Sequence, residues 1–258
     1  MGAGGLTPET GAAYGVRRPP GWLPGPAPSW SALSPDERRG IGLREVRVAL
    51  ARGREVVAGV APAQVTPVEL PPSGGGPRPA AVLCLLFQSA GEAHVVLTRR
   101  SSHLRSHAGE VSFPGGRLDR GEAPLEAALR EAREEIGLNT SSVELIGWLT
   151  PLTTARSDAL VHCVVGSFPG PGEGGLVLSP QVSEVDRVFF APLSGLMGAG
   201  VFHEELWPAE PGAEGTQYRA VPFFDFAGEV IWGATGRLLV ELLGRAVAAR
   251  RRRRPVER

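Results

Sequence analysis

The chain has 258 residues, enough for one large domain or two small ones, and a chain of this length folds without disulfide staples. Its two cysteines, Cys84 and Cys163, cannot form a disulfide framework. No apolar run approaches the roughly 18–20 residues of a membrane span, and the N-terminus lacks the basic start and apolar stretch of a signal peptide. These features predict a soluble, cytoplasmic protein.

The charge is distributed unevenly. All 27 basic residues are arginine, and seven of them fall between Arg245 and Arg258 with one acid, Glu257. The rest of the chain has 20 basic and 26 acidic residues, a net charge of −6. An acidic body argues against nucleic-acid binding by the globular part, and no membrane partner is expected. The sequence leaves the oligomeric state open, a homodimer included.

The first 79 residues differ in composition from the rest of the chain. Residues 1–40 hold eight glycines and seven prolines, so we expect a mostly irregular arm. An amphipathic pattern at 42–52 predicts a short helix, and Pro71–Pro77 is typical of a linker. The predicted organisation is an arm at 1–79, a domain at 80–244 and an arginine-rich tail at 245–258.

The predicted domain begins with a hairpin. Ala80–Phe87 is a continuous apolar run, as in a buried strand, and a turn at Gly91-Glu92 leads to a second strand at His94–Arg100. Later patterns predict strands at 143–149, 160–168, 184–190 and 221–226, and helices at 124–136 and 233–250. Strands interspersed with a few helices predict an α/β or α+β fold in which helices cover a mixed sheet.

The chemistry is concentrated between Gly115 and Leu138. A helix is expected to begin at Pro124 and to end before Gly137. Glu131, Glu134 and Glu135 are expected to project opposite its apolar stripe, with Cβ atoms about 5–6 Å apart. The apolar stripe comprises Leu125, Ala128, Leu129, Ala132 and Ile136.

Three carboxylates at this spacing repel one another unless cations compensate their charge. Arg130 and Arg133 could do so, which would make this segment an ordinary solvated helix face. A hard divalent cation such as Mg²⁺ or Mn²⁺ is the alternative, because such ions prefer oxygen ligands.

The spacing of residues over the whole stretch from Gly116 to Leu138 favours a site for a divalent cation. The stretch fits the pattern G-x5-E-x7-R-E-U-x-E-E-x-G-U and resembles the Nudix hydrolase family. The resemblance implies an α/β/α sandwich with a mixed sheet and hydrolysis of a diphosphate linked to another moiety. The matching residues are Gly116, Glu122, Arg130, Glu131, Glu134, Glu135 and Gly137.

The resemblance also implies roles for these residues. Glu131 and Glu135 would hold the divalent metal, and Glu134 would be a further ligand or the general base. Gly115 and Gly116 would let the backbone approach a phosphate closely. The motif residues Glu122 and Arg130 would be structural, fixing the loop against the helix as an ion pair. The sequence does not settle which glutamate is the base.

A second pattern lies just upstream and resembles the coenzyme A diphosphatase branch of that family, L-L-T-x-R-[SA]-x3-R-x3-G-x3-F-P-G-G. It implies cleavage of coenzyme A or its thioesters to 4′-phosphopantetheine and adenosine 3′,5′-bisphosphate. We expect Arg100 and Arg105 to contact phosphate; the alternative for Arg100 is an ion pair within the strand and loop. Arg99 is expected to be solvated. The pattern occupies Val96–Ser101, Arg105, Gly109 and Phe113–Gly116, with Val96 in place of leucine.

Two downstream segments complete the comparison. Glu184 could supply a catalytic carboxylate beside Glu131 and Glu134, or it could be a surface residue at a strand start. Thr153–Ala159 keeps only the serine of a Ser-Gly-Phe element typical of the branch. This departure concerns the substrate and leaves the cleavage of a diphosphate untouched. One alternative is therefore a Nudix hydrolase of ADP-ribose or another nucleoside diphosphate derivative; a separate alternative, of another class, is a non-catalytic binding module.

Overall fold

The structure, a computed structural model, describes residues 16–56, 77–104, 106–154, 158–169, 177–209 and 217–252, without the side chains of 52–56. The described residues form five α-helices, twelve strands and a 3-10 turn at Thr140–Ser142. The helices are α1 Pro35–Arg38, α2 Leu43–Val56, α3 Pro124–Ile136, α4 Leu193–Leu196 and α5 Gly233–Arg251. The strands are β1 Leu23–Pro24, β2 Arg78–Ser89, β3 Glu92–Arg100, β4 Val111–Ser112, β5 Gly115–Arg117, β6 Glu144–Trp148, β7 Leu152–Thr154, β8 Ala159–Phe168, β9 Val185–Pro192, β10 Phe202–Pro208, β11 Tyr218–Phe226 and β12 Glu229–Trp232.

An eight-stranded mixed sheet forms the centre of the fold. Its order is β4-β3-β2-β8-β6, with β5 beside β2, β7 beside β8 and β9 beside β3. Strand β2 is parallel to β8 from the Arg78–Ala159 pair to the Phe87–Phe168 pair, and the other pairings are antiparallel. The apolar run predicted at 80–87 is this central strand, which is apolar on both faces because both are buried.

Helices cover both faces of this sheet, as alternate side chains of β2 show. Leu83 and Leu85 face a core cluster that also contains Ala128 of α3. Cys84 and Leu86 face the opposite cluster, which contains residues of α2 and α5. The predicted α/β/α sandwich with a mixed sheet is therefore confirmed.

A smaller antiparallel sheet, ordered β1-β10-β11-β12, packs beside α5. Its inner face contributes Phe224 and Ile231 to the core, and its outer face carries Trp207 and Phe223. Only β11 of this sheet is predicted from the sequence. Strand β10 has two glutamates at its centre and β12 has four residues, so neither shows a clear hydrophobic pattern.

The described residues before β2 also pack on the sandwich. Helix α2 occupies the amphipathic pattern predicted at 42–52 and buries Val46 and Leu50. Trp30 and Ile41, upstream of α2, are buried in the same core cluster. Side chains before and after residue 79 therefore share one core.

The predicted division into arm, domain and tail stays a prediction about domain organisation. Helix α5 continues through residue 244, so the predicted tail starts within a helix. The predicted linker lies outside the described residues except for Pro77. Among the described residues, no helix is both long enough and apolar enough to cross a membrane.

Helix α3 has the bounds that its sequence predicts. Pro124 stands at the first helical position, where its missing N–H is not needed. The backbone N–H of Ala123 donates to the Glu126 carboxylate at 3.0 Å. Gly137 ends the helix with a φ of 65°, and its N–H donates a hydrogen bond to the Arg133 carbonyl at 3.0 Å. Local sequence thus specifies both ends of the helix that carries the glutamates.

Candidate active site

Gly115 and Gly116 lie in β5 where space is tightest. A Cβ on Gly115 would stand 2.4 Å from the Ala81 carbonyl oxygen, and one on Gly116 would stand 2.3 Å from Glu131 Oε1. Real Cβ atoms do not approach other atoms this closely. Gly115 faces backbone and so admits no side chain, whereas a side chain at Gly116 would force the Glu131 carboxylate to move. The two glycines thus bring the β5 backbone against both β2 and the carboxylate of Glu131.

Glu135 is buried, which corrects one expectation. It does not project opposite the apolar stripe, because at 100° per residue it falls between Pro124 and Ala128 on the face turned to the sheet. Its residue exposure is 2 %. Arg100 Nη1 donates to Glu135 Oε1 at 3.2 Å, and the Gly115 N–H donates to Oε2 at 3.0 Å. This carboxylate therefore joins α3, β3 and β5.

Glu131 and Glu134 share one cation. Arg130 Nη1 donates to Glu131 Oε1 at 2.9 Å and to Glu134 Oε2 at 3.2 Å. Glu131 is partly buried, whereas Glu134 is exposed. The arginine compensation considered from the sequence is thus present, and it comes from Arg130.

Arg130 also ties the preceding loop to the helix. Its Nε and Nη2 donate to the two oxygens of Glu122 at 2.8 and 2.9 Å, and Nη2 reaches the Arg117 carbonyl at 3.1 Å. The Asp119 N–H donates to the same Glu122 carboxylate at 2.8 Å. The Arg130 guanidinium accordingly lowers the pKa of Glu122. Glu122 and Arg130 are joined by a forked ion pair that spans the loop.

Glu184 lies near these carboxylates, at the turn before β9. Its side chain is exposed, and its carbonyl accepts a hydrogen bond from the Ser101 N–H at 2.8 Å. Burial is the largest cause that raises the pKa values of Glu131 and Glu135, and the negative charge of Glu184 adds to it. The structure therefore brings all four predicted glutamates of the site, Glu131, Glu134, Glu135 and Glu184, into one electrostatic cluster.

The cluster has more negative charge than its arginines offset. Burial is the largest cause that raises the pKa of Glu135, to about 7, and the Gly115 N–H and Arg100 oppose it. Burial also raises the pKa of Glu131, against the lowering effect of Arg130. An added cation would favour the ionised form of both carboxylates.

The donor set has the chemistry that a hard divalent cation requires, since it consists of carboxylate oxygens. In the described part of the chain, however, no three acidic, histidine or cysteine side chains are arranged to hold a metal. Arg100 and Arg130 occupy oxygens of Glu135, Glu131 and Glu134 instead. The carboxylates are therefore of the type that binds a divalent cation, but in this structure Arg100 and Arg130 form ion pairs with them.

Arg100 makes an ion pair with Glu135 of α3, and not within the strand and loop as the sequence alternative had it; its phosphate contact stays a prediction. Its Nε is buried with no hydrogen-bond partner among the described residues. A buried donor of this kind calls for an acceptor. Arg105 lies outside the described residues.

Arg99 is not simply solvated, which corrects a second expectation. Its Nη1 lies 3.3 Å from Oε1 of Glu229, a residue with 6 % exposure in β12. Arg187 of β9 reaches the same oxygen at 3.0 Å. Sequence reasoning misses Glu229 and Arg187 because nothing local marks them: the contacts join strands far apart in the chain.

Residues 77–206 match the NUDIX domain family model. That range holds β2 to β9, α3 and every residue of the carboxylate cluster. The protein is therefore a hydrolase acting on phosphoanhydride bonds.

Individual relatives with similar sequences are also named as Nudix hydrolases. The Photorhabdus laumondii protein NudL, described as an uncharacterized Nudix hydrolase, is 36 % identical over 149 residues, which is 57 % of this chain and 74 % of the relative. Nudix hydrolase 3 of Caenorhabditis elegans is 36 % identical over 171 residues, 63 % of this chain and 70 % of the relative. The chain belongs to the Nudix hydrolase family, whose members generally use divalent metal ions.

Two solved structures match at lower identity. A C. elegans Ap4A hydrolase is 21 % identical with a TM-score of 0.38, over 44 % of this chain and 80 % of that one. A MutT/nudix family protein from Enterococcus faecalis is 17 % identical with a TM-score of 0.45, over 69 % of this chain and 64 % of that one. Similarity at this level carries no information about substrate.

Proposed function

We propose that this Nudix hydrolase cleaves the diphosphate of coenzyme A or acyl-CoA in the cytoplasm. The products would be 4′-phosphopantetheine, or its acyl form, and adenosine 3′,5′-bisphosphate. The observation that carries the proposal is the position of Arg100, an arginine of the upstream pattern, beside the buried Glu135. The Arg100 side chain is 25 % exposed, so the accessible part of the guanidinium could donate to a phosphate oxygen beside the carboxylate cluster.

The carboxylates would hold Mg²⁺ or Mn²⁺, with Glu131 and Glu135 as principal ligands and Glu134 as a further one. A bound divalent cation neutralises diphosphate charge and lowers the pKa of an attacking water. Arg130 Nη1 is bonded to one oxygen each of Glu131 and Glu134, and a cation that took these two oxygens would displace it. The forked pair with Glu122 uses Nε and Nη2, so it can remain in place during this exchange.

The proton of the attacking water would go to a glutamate of the cluster. Glu134, Glu131 and Glu184 are the candidates, because Glu135 is buried and already bonded through both oxygens. A base must reach the proton within hydrogen-bond distance. The exposure of Glu134 and Glu184 leaves both open to a water on the outer side of the site.

Substrate phosphates would be held by arginines and by the glycine segment. Coenzyme A has a 3′-phosphate besides its diphosphate, which suits two arginines, Arg100 and Arg105. Gly115 and Gly116 supply backbone without side chains at the inner edge of the site. The helix beyond them begins at Pro124, and its N-terminal dipole favours an anion.

The test is a substrate panel with mass detection of products, with and without a chelator. We expect adenosine 3′,5′-bisphosphate from coenzyme A with Mg²⁺ or Mn²⁺, and no product in the chelator. Much faster turnover of ADP-ribose would overturn the substrate assignment while leaving the hydrolase intact.

The rival substrate class is ADP-ribose or another nucleoside diphosphate derivative. It is favoured by the departure at Thr153–Ala159, where the chain lacks the Ser-Gly-Phe element of the coenzyme A branch. Strand β7 ends there at Thr154, and 155–157 lie outside the described residues. The non-catalytic module that the sequence left open is disfavoured, because the relatives are Nudix hydrolases and the set of glutamates is complete.

A further inference from the structure

We infer that Glu229 of the small sheet is a positioning residue for the active site, holding the junction of β3 and β9 from the face opposite the glutamate cluster. The inference rests on the proposed function in that it concerns Arg100 and Glu184. It adds a part of the fold, the small sheet, that the sequence motifs do not include.

Glu229 is an acid bound by two cations from the large sheet. It has 6 % exposure, and its Oε1 lies 3.3 Å from Arg99 Nη1 and 3.0 Å from Arg187 Nη1. Arg99 Nη2 also lies 3.9 Å from Asp186 Oδ2. Opposite charges therefore alternate in a network of side chains: Arg187 of β9, Glu229 of β12, Arg99 of β3 and Asp186 of β9.

Arg99 and Arg100 hold β3 from its two faces. Successive side chains of a strand point to opposite sides. Arg99 accordingly reaches Glu229 in the small sheet, whereas Arg100 reaches Glu135 in α3. A shift of β3 that lengthened the Arg99–Glu229 ion pair would therefore also change the geometry of the Arg100–Glu135 ion pair.

The junction itself is irregular and needs support. The register between the strands runs from Arg99–Arg187 to Arg100–Val185, so Asp186 is an extra residue in a β-bulge. Its carboxylate accepts a hydrogen bond from the Ser102 N–H at 3.2 Å.

The backbone position of Glu184 depends on this junction between β3 and β9. Its carbonyl is bonded to the Ser101 N–H at 2.8 Å, so the end of β3 sets the position of the Glu184 backbone. Arg100 lies one residue earlier on the same strand. Glu229 therefore acts on both predicted site residues through Arg99 and the bulge, without contacting either.

The first test is amide hydrogen exchange by mass spectrometry on the metal-free protein, over peptides that contain Ser101 and Ser102. Glu229→Gln keeps the side-chain size and removes the charge. We expect exchange there to become about tenfold faster, as for groups within one coupled network. The matched control is Glu205→Gln, which alters an equally buried acid of the small sheet that pairs with Arg18 and Trp207 on the outer face. Equal protection in the two variants and the wild type would overturn the inference.

The second test is a double-mutant cycle on whichever phosphoanhydride the wild type cleaves fastest. Glu229→Gln should lower kcat/KM about tenfold in the wild type and less than about twofold in an Arg100→Gln background, because both changes disturb one network. Glu205→Gln should leave kcat/KM within about twofold of the wild type by the same additivity rule. Equal losses in the two backgrounds would show a general structural effect and overturn the inference.

These tests separate the two proposals. A wrong substrate assignment changes the compound used in the cycle and not its outcome, and the exchange experiment uses no substrate. If Glu229→Gln fails to fold, Arg187→Gln removes one partner from a more exposed site, 47 % for its side chain, and should change exchange in the same direction. Unchanged exchange in that variant would also count against the inference.

Discussion

At the scale of single residues, Glu135 combines burial with a charge-dependent role. Its pKa is raised from 4.5 to about 7, chiefly by burial, so the folded metal-free protein binds a proton that the unfolded chain releases. Stability linked to this group is therefore greatest below about pH 4.5 and is lost as the pH rises through 7. The site thus stores unfavourable charge at neutral pH, which a cation can relieve.

Glu135→Gln should stabilise the metal-free protein and abolish turnover. At pH 8 in a chelator we expect the free energy of unfolding to rise by as much as about 3 kcal/mol, the equivalent of the pKa shift. At pH 4.5 the difference from the wild type should be small, because the wild-type carboxyl is then protonated. Urea unfolding at both pH values measures this, and kcat with metal should fall by orders of magnitude.

Glu134→Gln is the control, since that carboxylate is exposed on the same helix. It should leave unfolding at pH 8 nearly unchanged. Equal stability of wild type and Glu135→Gln at pH 8 would show that burial does not raise the pKa of Glu135.

Gly116→Ala should damage activity more than stability. The new Cβ would stand 2.3 Å from Glu131 Oε1, and the flexible carboxylate can move away, although it then leaves its present position. We expect kcat/KM to fall at least about tenfold, because misplacement of a catalytic group by 1 Å can cost a hundredfold. Steady-state kinetics with thermal unfolding measures the two effects separately.

Gly244→Ala provides the comparison for this substitution. Gly244 lies within α5, and among the described residues its Cβ would meet only Ser29 Oγ, at 3.6 Å, an ordinary contact. It should keep full activity and gain about 0.5–1 kcal/mol, since glycine weakens a helix interior. A similar loss of activity in both variants would contradict the steric explanation.

At the scale of elements, the loop before α3 depends on Arg130. Arg130→Gln removes the forked pair with Glu122 together with the bonds to Glu131 and Glu134. We expect the free energy of unfolding to fall by about 1–3 kcal/mol, as for lost hydrogen bonds between charged groups. Arg130→Lys should recover only part of it, because an ammonium lacks the planar fork.

Arg133→Gln serves as the matched control, an exposed arginine one turn further along α3. Chemical denaturation of the three variants gives the comparison. If Arg133→Gln destabilises the protein as much as Arg130→Gln does, the loop does not depend on the Arg130 pair.

How far elements can be predicted from sequence depends on where their signals lie. The bounds of α3 are predictable because Pro124 and Gly137 mark its ends locally. The burial of Glu135 is not, because the sheet covers a wider arc of the helix than the apolar stripe alone suggests. Strands β10 and β12 exist through pairing with β11, which no local pattern reveals.

The candidate site divides in the same way. Glycines and glutamates at fixed spacing are visible in the sequence, because one loop and one helix hold them together. The partners of Arg99 and Arg100 are not visible, because Glu229 and Glu135 come from other elements. The roles of the predicted site residues stay predictions until these variants are measured.

At the scale of the whole molecule, described residues before β2 contribute to the folded core. Trp30 has 2 % exposure, and its ring packs edge-on against Phe202 at 5.1 Å. Trp30→Ala should therefore cost about 3–5 kcal/mol in unfolding free energy, the usual range for a buried tryptophan. Leu23→Ala, at a residue with 46 % exposure, should cost much less. Denaturant unfolding distinguishes them, and equal costs would mean that Trp30 is not held in the core.

The parallel pairing of β2 with β8 has a consequence for biosynthesis. Strand β5, with Gly115 and Gly116, and helix α3 both lie between β2 and β8 in the chain, so a ribosome completes them before β8 has been made. Until then, one edge of an apolar strand stays open to pairing with other chains. Interrupted translation after α3 and before β8 would release fragments in which β2 lacks its parallel partner, and the open edge of this apolar strand would favour aggregation.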